Sequence, residues 1–200
     1  MAILPGSAVA AGHAKVDLLN EGARAWKSVN AGWKFANGVL TGASSIFDGA
    51  ITDPAASTFL VSKAVFGGDI AVSMDLSFEQ GRYLGVYLDF DQETQTGIWM
   101  ATGHPLAEGA AGNEVERAYI KTVEESSWIV RATGELVVKP HMPLHLRFER
   151  KGDYYSIYSN GTLIVTYCKP GGYPAGPLQI RLTNASVRIR SLLIESDWQR

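Results

Sequence analysis

Apolar and polar residues alternate along most of this chain, and helical periodicity is almost absent. From Asp69 to Phe78, Ile70, Val72, Met74, Leu76 and Phe78 share one side while Ala71, Ser73, Asp75 and Ser77 share the other. A strand places successive side chains on opposite faces, so this run reads as a half-buried strand. The stretch from Tyr83 to Gly103 reads as an antiparallel hairpin. Its aliphatic side carries Leu84, Val86, Leu88, Ile98 and Met100, and its other side carries Tyr83, Gly85, Tyr87, Asp89 and Trp99. The first side is core, and the second is either a covered second core or the wall of a ligand site. Asn37-Gly38 and Asn160-Gly161 tolerate the positive φ of a type I′ turn and predict hairpins over 33–41 and 154–167. Further strands are predicted at 58–63, 115–123, 128–131, 135–138, 143–150, 178–182 and 187–195, with Thr133-Gly134 read as a turn and 16–30 as the one short helix or turn.

Roughly a dozen such strands predict an all-β fold, a two-sheet antiparallel β-sandwich of jelly-roll type. The 200 residues suffice for one domain with a substantial core, and neither an internal repeat nor a low-complexity linker divides them. Residues 1–15 read as an N-terminal arm and 16–200 as the single domain. The opening MAILPGSAVAAGHA lacks a basic n-region and is interrupted by Pro5-Gly6, so it does not read as a signal peptide. A mature secreted chain given a start Met would look the same, which leaves localisation open. Apolar residues make up 46% and charged residues 19%, the balance of a folded soluble protein. A net charge of -2 without a basic concentration argues against a nucleic-acid partner, and no apolar run is long enough for a membrane helix. Cys168 is the sole cysteine, so an intrachain disulfide is excluded, and His13, His104, His141 and His145 lack the spacing of a zinc helix.

Four stretches together resemble the concanavalin A-like lectin/glucanase jelly rolls. They are WKFANGVLTG (33–42), DIAVSMDLSFEQGRYLGVYLDFD (69–91), PLHLRFERKGDYYSIYSNGTLIVTY (143–167) and GPLQIRLTNASVRIRSLLIES (176–196). The third is similar to laminin G-like domains and the last to 3-keto-disaccharide hydrolase-type domains. The resemblance implies a β-sandwich that holds a saccharide in a concave groove, with hydrolase or lyase activity on 3-keto-glycosides as the catalytic form. The chain departs from both catalytic patterns. It lacks the Glu-x-Asp-x-x-Glu strand of laminarinase-type enzymes, and Lys139 to Leu144 stand where a Gly-Glu-Trp-Asn segment is usual. Catalysis therefore stays open, and a non-catalytic module whose aromatic face meets a protein partner or a second copy is the alternative.

The non-core faces supply one candidate set. Tyr83, Tyr87, Trp99, Arg117, Tyr119 and Arg147 are expected to bind a ligand, rings stacking on sugar faces and cations bonding hydroxyls. His145 is the candidate for proton transfer, with Asp89 or Glu116 as its carboxylate. His104, at the root of the Gly/Ala-rich loop 103–114, is placed like a lid residue. Asp89, Asp91 and Glu93 offer the oxygens Ca²⁺ takes, but Gln92 to Gly97 is ordinary turn chemistry, and no metal or cofactor is expected. Arg181, Arg188 and Arg190 read as solvated strand faces pairing with Glu, and Cys168 reads as inert.

Overall fold

The structure, a computed structural model, describes residues 14–44, 57–81, 83–89, 91, 96–103, 117–124 and 127–199. Among these residues fourteen strands form one hydrogen-bonded network. In chain order they are β1 (Ala14–Asp17), β2 (Trp26–Val29), β3 (Trp33–Ala36), β4 (Val39–Ala43), β5 (Ser57–Gln80), β6 (Leu84–Tyr87), β7 (Gly97–Thr102), β8 (Arg117–Glu124), β9 (Ser127–Glu135), β10 (Leu144–Lys151), β11 (Tyr154–Ser159), β12 (Thr162–Cys168), β13 (Gly176–Thr183) and β14 (Ser186–Gln199). The short helix α1 (Leu18–Glu21) and a 3-10 turn follow β1, within the predicted 16–30. Asp17 caps α1, its carboxylate accepting from the N–H groups of Leu19 and Asn20. β1 pairs with Leu193–Ser196 of β14, so Ala14 and Lys15, assigned to the arm, already belong to the sheet.

The network folds into two layers because β5, 24 residues long, runs through both. Its first half lies between β2 and β13, and its second half lies between β14 and β10. The first layer is β2, β5, β13, β6, β7, β8 and β9, and the second is β4, β14, β5, β10, β11 and β12 with β3 and β1 at its margin. One core fills the space between them: Leu84, Val86, Ile98, Met100, Ile120, Ile180 and Leu182 from the first, and Val72, Met74, Leu76, Leu146, Phe148, Ile157 and Ile189 from the second. Each such side chain removed from water stabilises the fold by about 1.5–3 kcal/mol, before conformational entropy is subtracted.

The predicted hairpins form where expected, with Asn37, Gly38, Asn160 and Gly161 at positive φ. Two predicted breaks are not breaks. The sequence predicts separate strands at 58–63 and 69–78, yet β5 runs unbroken from one to the other through Gly67-Gly68. Gly68 sits at φ 72°, and a Cβ there would lie 2.4 Å from the Asp197 carboxylate, which accepts from Asp69 N–H at 2.8 Å. Thr133-Gly134 was read as a turn, yet β9 runs straight through it, pairing Thr133 with Tyr119 and Gly134 with Ala118. Gly134 is there for space: a Cβ would meet the Ile164 carbonyl of β12 at 2.2 Å.

Candidate functional site

The outer face of the first layer is set by register. Directly opposed residues place Val61, Gln179, Tyr87, Trp99 and Lys121 in one row, and Phe59, Arg181, Gly85, Ala101 and Tyr119 in the next. Gly85 leaves a gap between two aromatic neighbours, and the Trp99 indole fills it, lying 1.7 Å from where a Gly85 Cβ would be. Tyr87 stacks on Trp99 at 5.6 Å with planes 12° apart, and Tyr83 meets it edge-on at 5.2 Å. Tyr83, Tyr87 and Trp99 are each only 3% exposed, and with Ala101 and Val123 they form a second apolar cluster. The question left open by the sequence is thus decided for these three rings: they are covered. Burial pushes the Tyr83 and Tyr87 hydroxyls well above the usual phenol range, so both stay neutral.

What reaches solvent is the rim of this cluster. Trp128 of β9 rests edge-on against Trp99 at 4.4 Å, yet is 42% exposed. The Arg181 guanidinium lies over Trp99 at 4.9 Å, Phe59 at 5.4 Å and Trp128 at 5.5 Å. It donates to Ser57 Oγ at 2.9 Å and Thr183 Oγ1 at 3.1 Å. Lys121 Nζ lies 5.3 Å from the Tyr119 ring centre and 5.4 Å from that of Trp99. Burial, then the nearby charge of Arg181, pulls the Lys121 ammonium below the usual lysine range. Ring faces attract cations, and here they take the place a carboxylate usually fills.

His145 and Arg147 are not on this face. They lie on the outer face of the second layer, so the single candidate set divides between two opposite surfaces. Alternation shows which residues of a strand share a side, but not which strands share a sheet, and β10 belongs to the other one. There Asp75 supplies the carboxylate beside His145, at 2.6 Å from Nδ1, rather than Asp89 or Glu116. Asn160 accepts from His145 N–H, and Arg190 joins these residues around a shallow depression of about 420 Å³. Arg147 donates to Glu195 at 2.9 Å and to Glu149 at 3.0 Å.

Asp89 is on neither face. β6 ends at Tyr87, the alternation lapses there, and the carboxylate turns into the interior. It accepts from Tyr155 Oη, from Arg150 Nη1 at 3.3 Å and from Ile98 N–H at 3.3 Å, all at full burial. Burial pushes its carboxyl upward against the pull of those three donors. Arg150 also donates to the Gly68 carbonyl at 2.6 Å, and so ties the two layers together at the bend of β5. This is a structural ion pair closed to substrate, and losing one partner from such a pair costs about 3–5 kcal/mol. Asp89 therefore does not serve as the partner of His145.

Arg117 is exposed at the start of β8 and Tyr119 is buried in its row, both on the first layer as expected. Trp128, Lys121 and Arg181 were missed as site residues. Arg181 had been grouped with Arg188 and Arg190, which belong to the second layer; Arg188 does pair with a glutamate, Glu79 at 3.5 Å. The signal for Arg181 was present: Gln179, Arg181 and Thr183 alternate with Leu178, Ile180 and Leu182. Cys168 is exposed and free. His104, Glu93 and Glu116, and most of the 103–114 loop, lie outside the described residues. Among the described residues no three His, Cys, Asp or Glu side chains converge as a metal would require. No helix among them is long and apolar enough to cross a membrane.

No family model and no curated protein matches the chain. Solved structures do. The carbohydrate binding module CBM66 from Bacillus subtilis superposes with a TM-score of 0.63 at 17% identity, covering 86% of this chain and 96% of that one. The exoplasmic/lumenal domain of VIP36, solved with Ca²⁺ and Man3GlcNAc, gives 0.63 at 8% identity, covering 88% and 84%. A native glycosidic hydrolase gives 0.60 at 11% identity, covering 96% and 99%. At these identities the likeness establishes the fold alone, a two-sheet antiparallel β-sandwich of jelly-roll type, as the sequence predicted.

Proposed function

We propose that this jelly roll binds a saccharide on the outer face of its first layer, with Trp128 as the stacking platform and Arg181 and Lys121 at its edge. One observation carries the reading: an exposed indole is held in a fixed pose by a buried aromatic cluster. Aromatic–sugar contacts need a ring already in place, and rigid aromatic anchors lose little entropy on binding. The carbohydrate-binding module and the lectin among the fold neighbours support the class of ligand. Tyr83, Tyr87 and Trp99, first expected to touch the ligand, act here as the support beneath Trp128.

A hydrolytic or lyase function on 3-keto-glycosides would rest on His145 with Asp75, which lie on the opposite layer from this platform. Binding without catalysis is therefore the reading preferred. A glycan array followed by calorimetry tests it. Trp128→Ala should lower the affinity for the best glycan about tenfold or more, near 1.4 kcal/mol, with little change in melting temperature. Failure of the unaltered protein to bind any glycan would overturn the reading.

A second reading has its own support. Trp128, Ile129 and Val130 are consecutive exposed apolar residues, and β9 has a ladder partner on one side only among the described residues. Such an edge can pair with another chain. A stable dimer in light scattering that Val130→Lys dissolves, together with silent glycan arrays, would favour assembly.

A further inference from the structure

We infer that the saccharide taken by this face is acidic, its carboxylate or sulfate group docking on Lys121 and Arg181 beside Trp128. The inference rests on the binding reading above and names its ligand class.

The two outer faces treat cations differently. On the second layer Arg147, Arg188 and Lys15 each have a carboxylate within 4 Å. On the first layer Arg181 and Lys121 have none among the described residues; their partners are rings and the hydroxyls of Ser57, Thr183 and Tyr87. Both cations lie against the same indole, near enough for Arg181 to disfavour charge on Lys121. A carboxylate of this face, Glu135, stands opposite Arg117 in the row beyond Tyr119. Two like charges in a half-buried setting cost free energy that an anion would return.

A second, independent feature points the same way. Gln179 is 4% exposed, sits beside Tyr87 in the Lys121 row, and its side-chain N–H₂ has no acceptor among the described residues. The indole N–H of Trp99 has none among them either. Unmatched donors thus lie just beneath a rim that already carries two cations without a carboxylate. Neutral sugars present hydroxyls that both donate and accept, whereas a carboxylate or sulfate only accepts. Charge-assisted hydrogen bonds of this kind are about twice as strong as neutral ones.

The test uses the whole chain and size-matched oligosaccharides: uronate-containing, sulfated and neutral. Calorimetry at low and high salt should show an acidic class binding about tenfold or more tighter than the neutral one, with the preference shrinking as salt rises. Reducing the uronate carboxyls to alcohols, or removing the sulfates, should abolish the preference and tell the two anions apart without altering the protein. Lys121→Met should cut the acidic preference to about threefold or less. Equal affinity for acidic and neutral oligosaccharides would overturn the inference and leave the binding reading standing. Silence toward all three classes would overturn both.

Discussion

The two outer faces of the sandwich are built from the same strand pattern and end in different physical states. The second-layer face is wet and neutralised: Asp75 with His145, Glu195 with Arg147 and Lys15, and Glu79 with His141 and Arg188. The first-layer face is a small aromatic core with two cations on its rim. The difference lies in what stands opposite each cation. In β10 and β14 the alternate positions hold Arg147, Glu149 and Glu195, so Arg147 finds carboxylates on its own strand and on β14. In β13, β7 and β8 they hold Gln179, Arg181, Trp99, Tyr119 and Lys121, so the charges find rings. Ion pairs in water contribute little to stability, whereas buried aromatic area contributes much. The first face should therefore be the one that stability depends on, and also the one with charge to spare.

Substitutions should expose that asymmetry. Trp99→Ala removes the ring on which Tyr83, Tyr87, Trp128 and Arg181 all rest; a loss of about 3–5 kcal/mol in urea unfolding is expected. A cost below about 1 kcal/mol would mean that the cluster is not a core. Gly85→Ala should cost about 1–3 kcal/mol, because its Cβ and the indole would occupy the same place. Placing the added methyl instead at Ser73, on the opposite face, should change stability by about 0.5 kcal/mol or less. Arg147→Gln, which strips the second face of its central cation, should cost no more than about 1 kcal/mol.

A pH effect is the smallest of these. The hydrogen bond from Arg147 holds Glu195 below its ordinary value of 4.5; partial burial pulls the other way, and the charges of Arg147 and Lys15 add smaller downward pulls. A carboxylate held low in the native state adds stability that is complete above the ordinary value and lost as pH falls through the lowered native one. Thermal melts between pH 5 and pH 3, with both limits about as stated, should show Glu195→Gln losing a small part of the acid sensitivity. No difference from the unaltered protein would mean that the pair contributes nothing measurable.

The hairpins and the core could be read from sequence because the signals are local. Asn37-Gly38 and Asn160-Gly161 require positive φ, and the alternating Val72, Met74, Leu76 and Leu144, Leu146, Phe148 require a buried side. Glycine misled where its reason was room and not conformation. Gly134 admits a carbonyl of another strand, and Gly85 admits an indole; nothing within either segment distinguishes these from turns or spacers. The site was half legible. Tyr83, Tyr87, Trp99, Arg117 and Tyr119 do share a face, since β6, β7 and β8 are consecutive neighbours. His145 and Arg147 were joined to them because strand order across a jelly roll is set by distant pairing. Arg181 was lost for the same reason: β13 follows β8 by more than fifty residues, yet stands on the far side of β6.

The passage of β5 through both layers bears on how the molecule comes apart. One unbroken ladder strand serves as the spine of each sheet, with β13 and β2 on its first half and β14 and β10 on its second. Neither sheet can peel away while the other keeps its full complement of amide bonds. Amide protons on Leu60 and on Met74 should accordingly exchange through the same global opening, with similar protection, although they belong to opposite walls. So many pairings between remote parts of the chain also imply slow refolding, on the millisecond-to-second scale of high-contact-order β proteins. Structurally there are two sheets; kinetically the spine makes them one foldon.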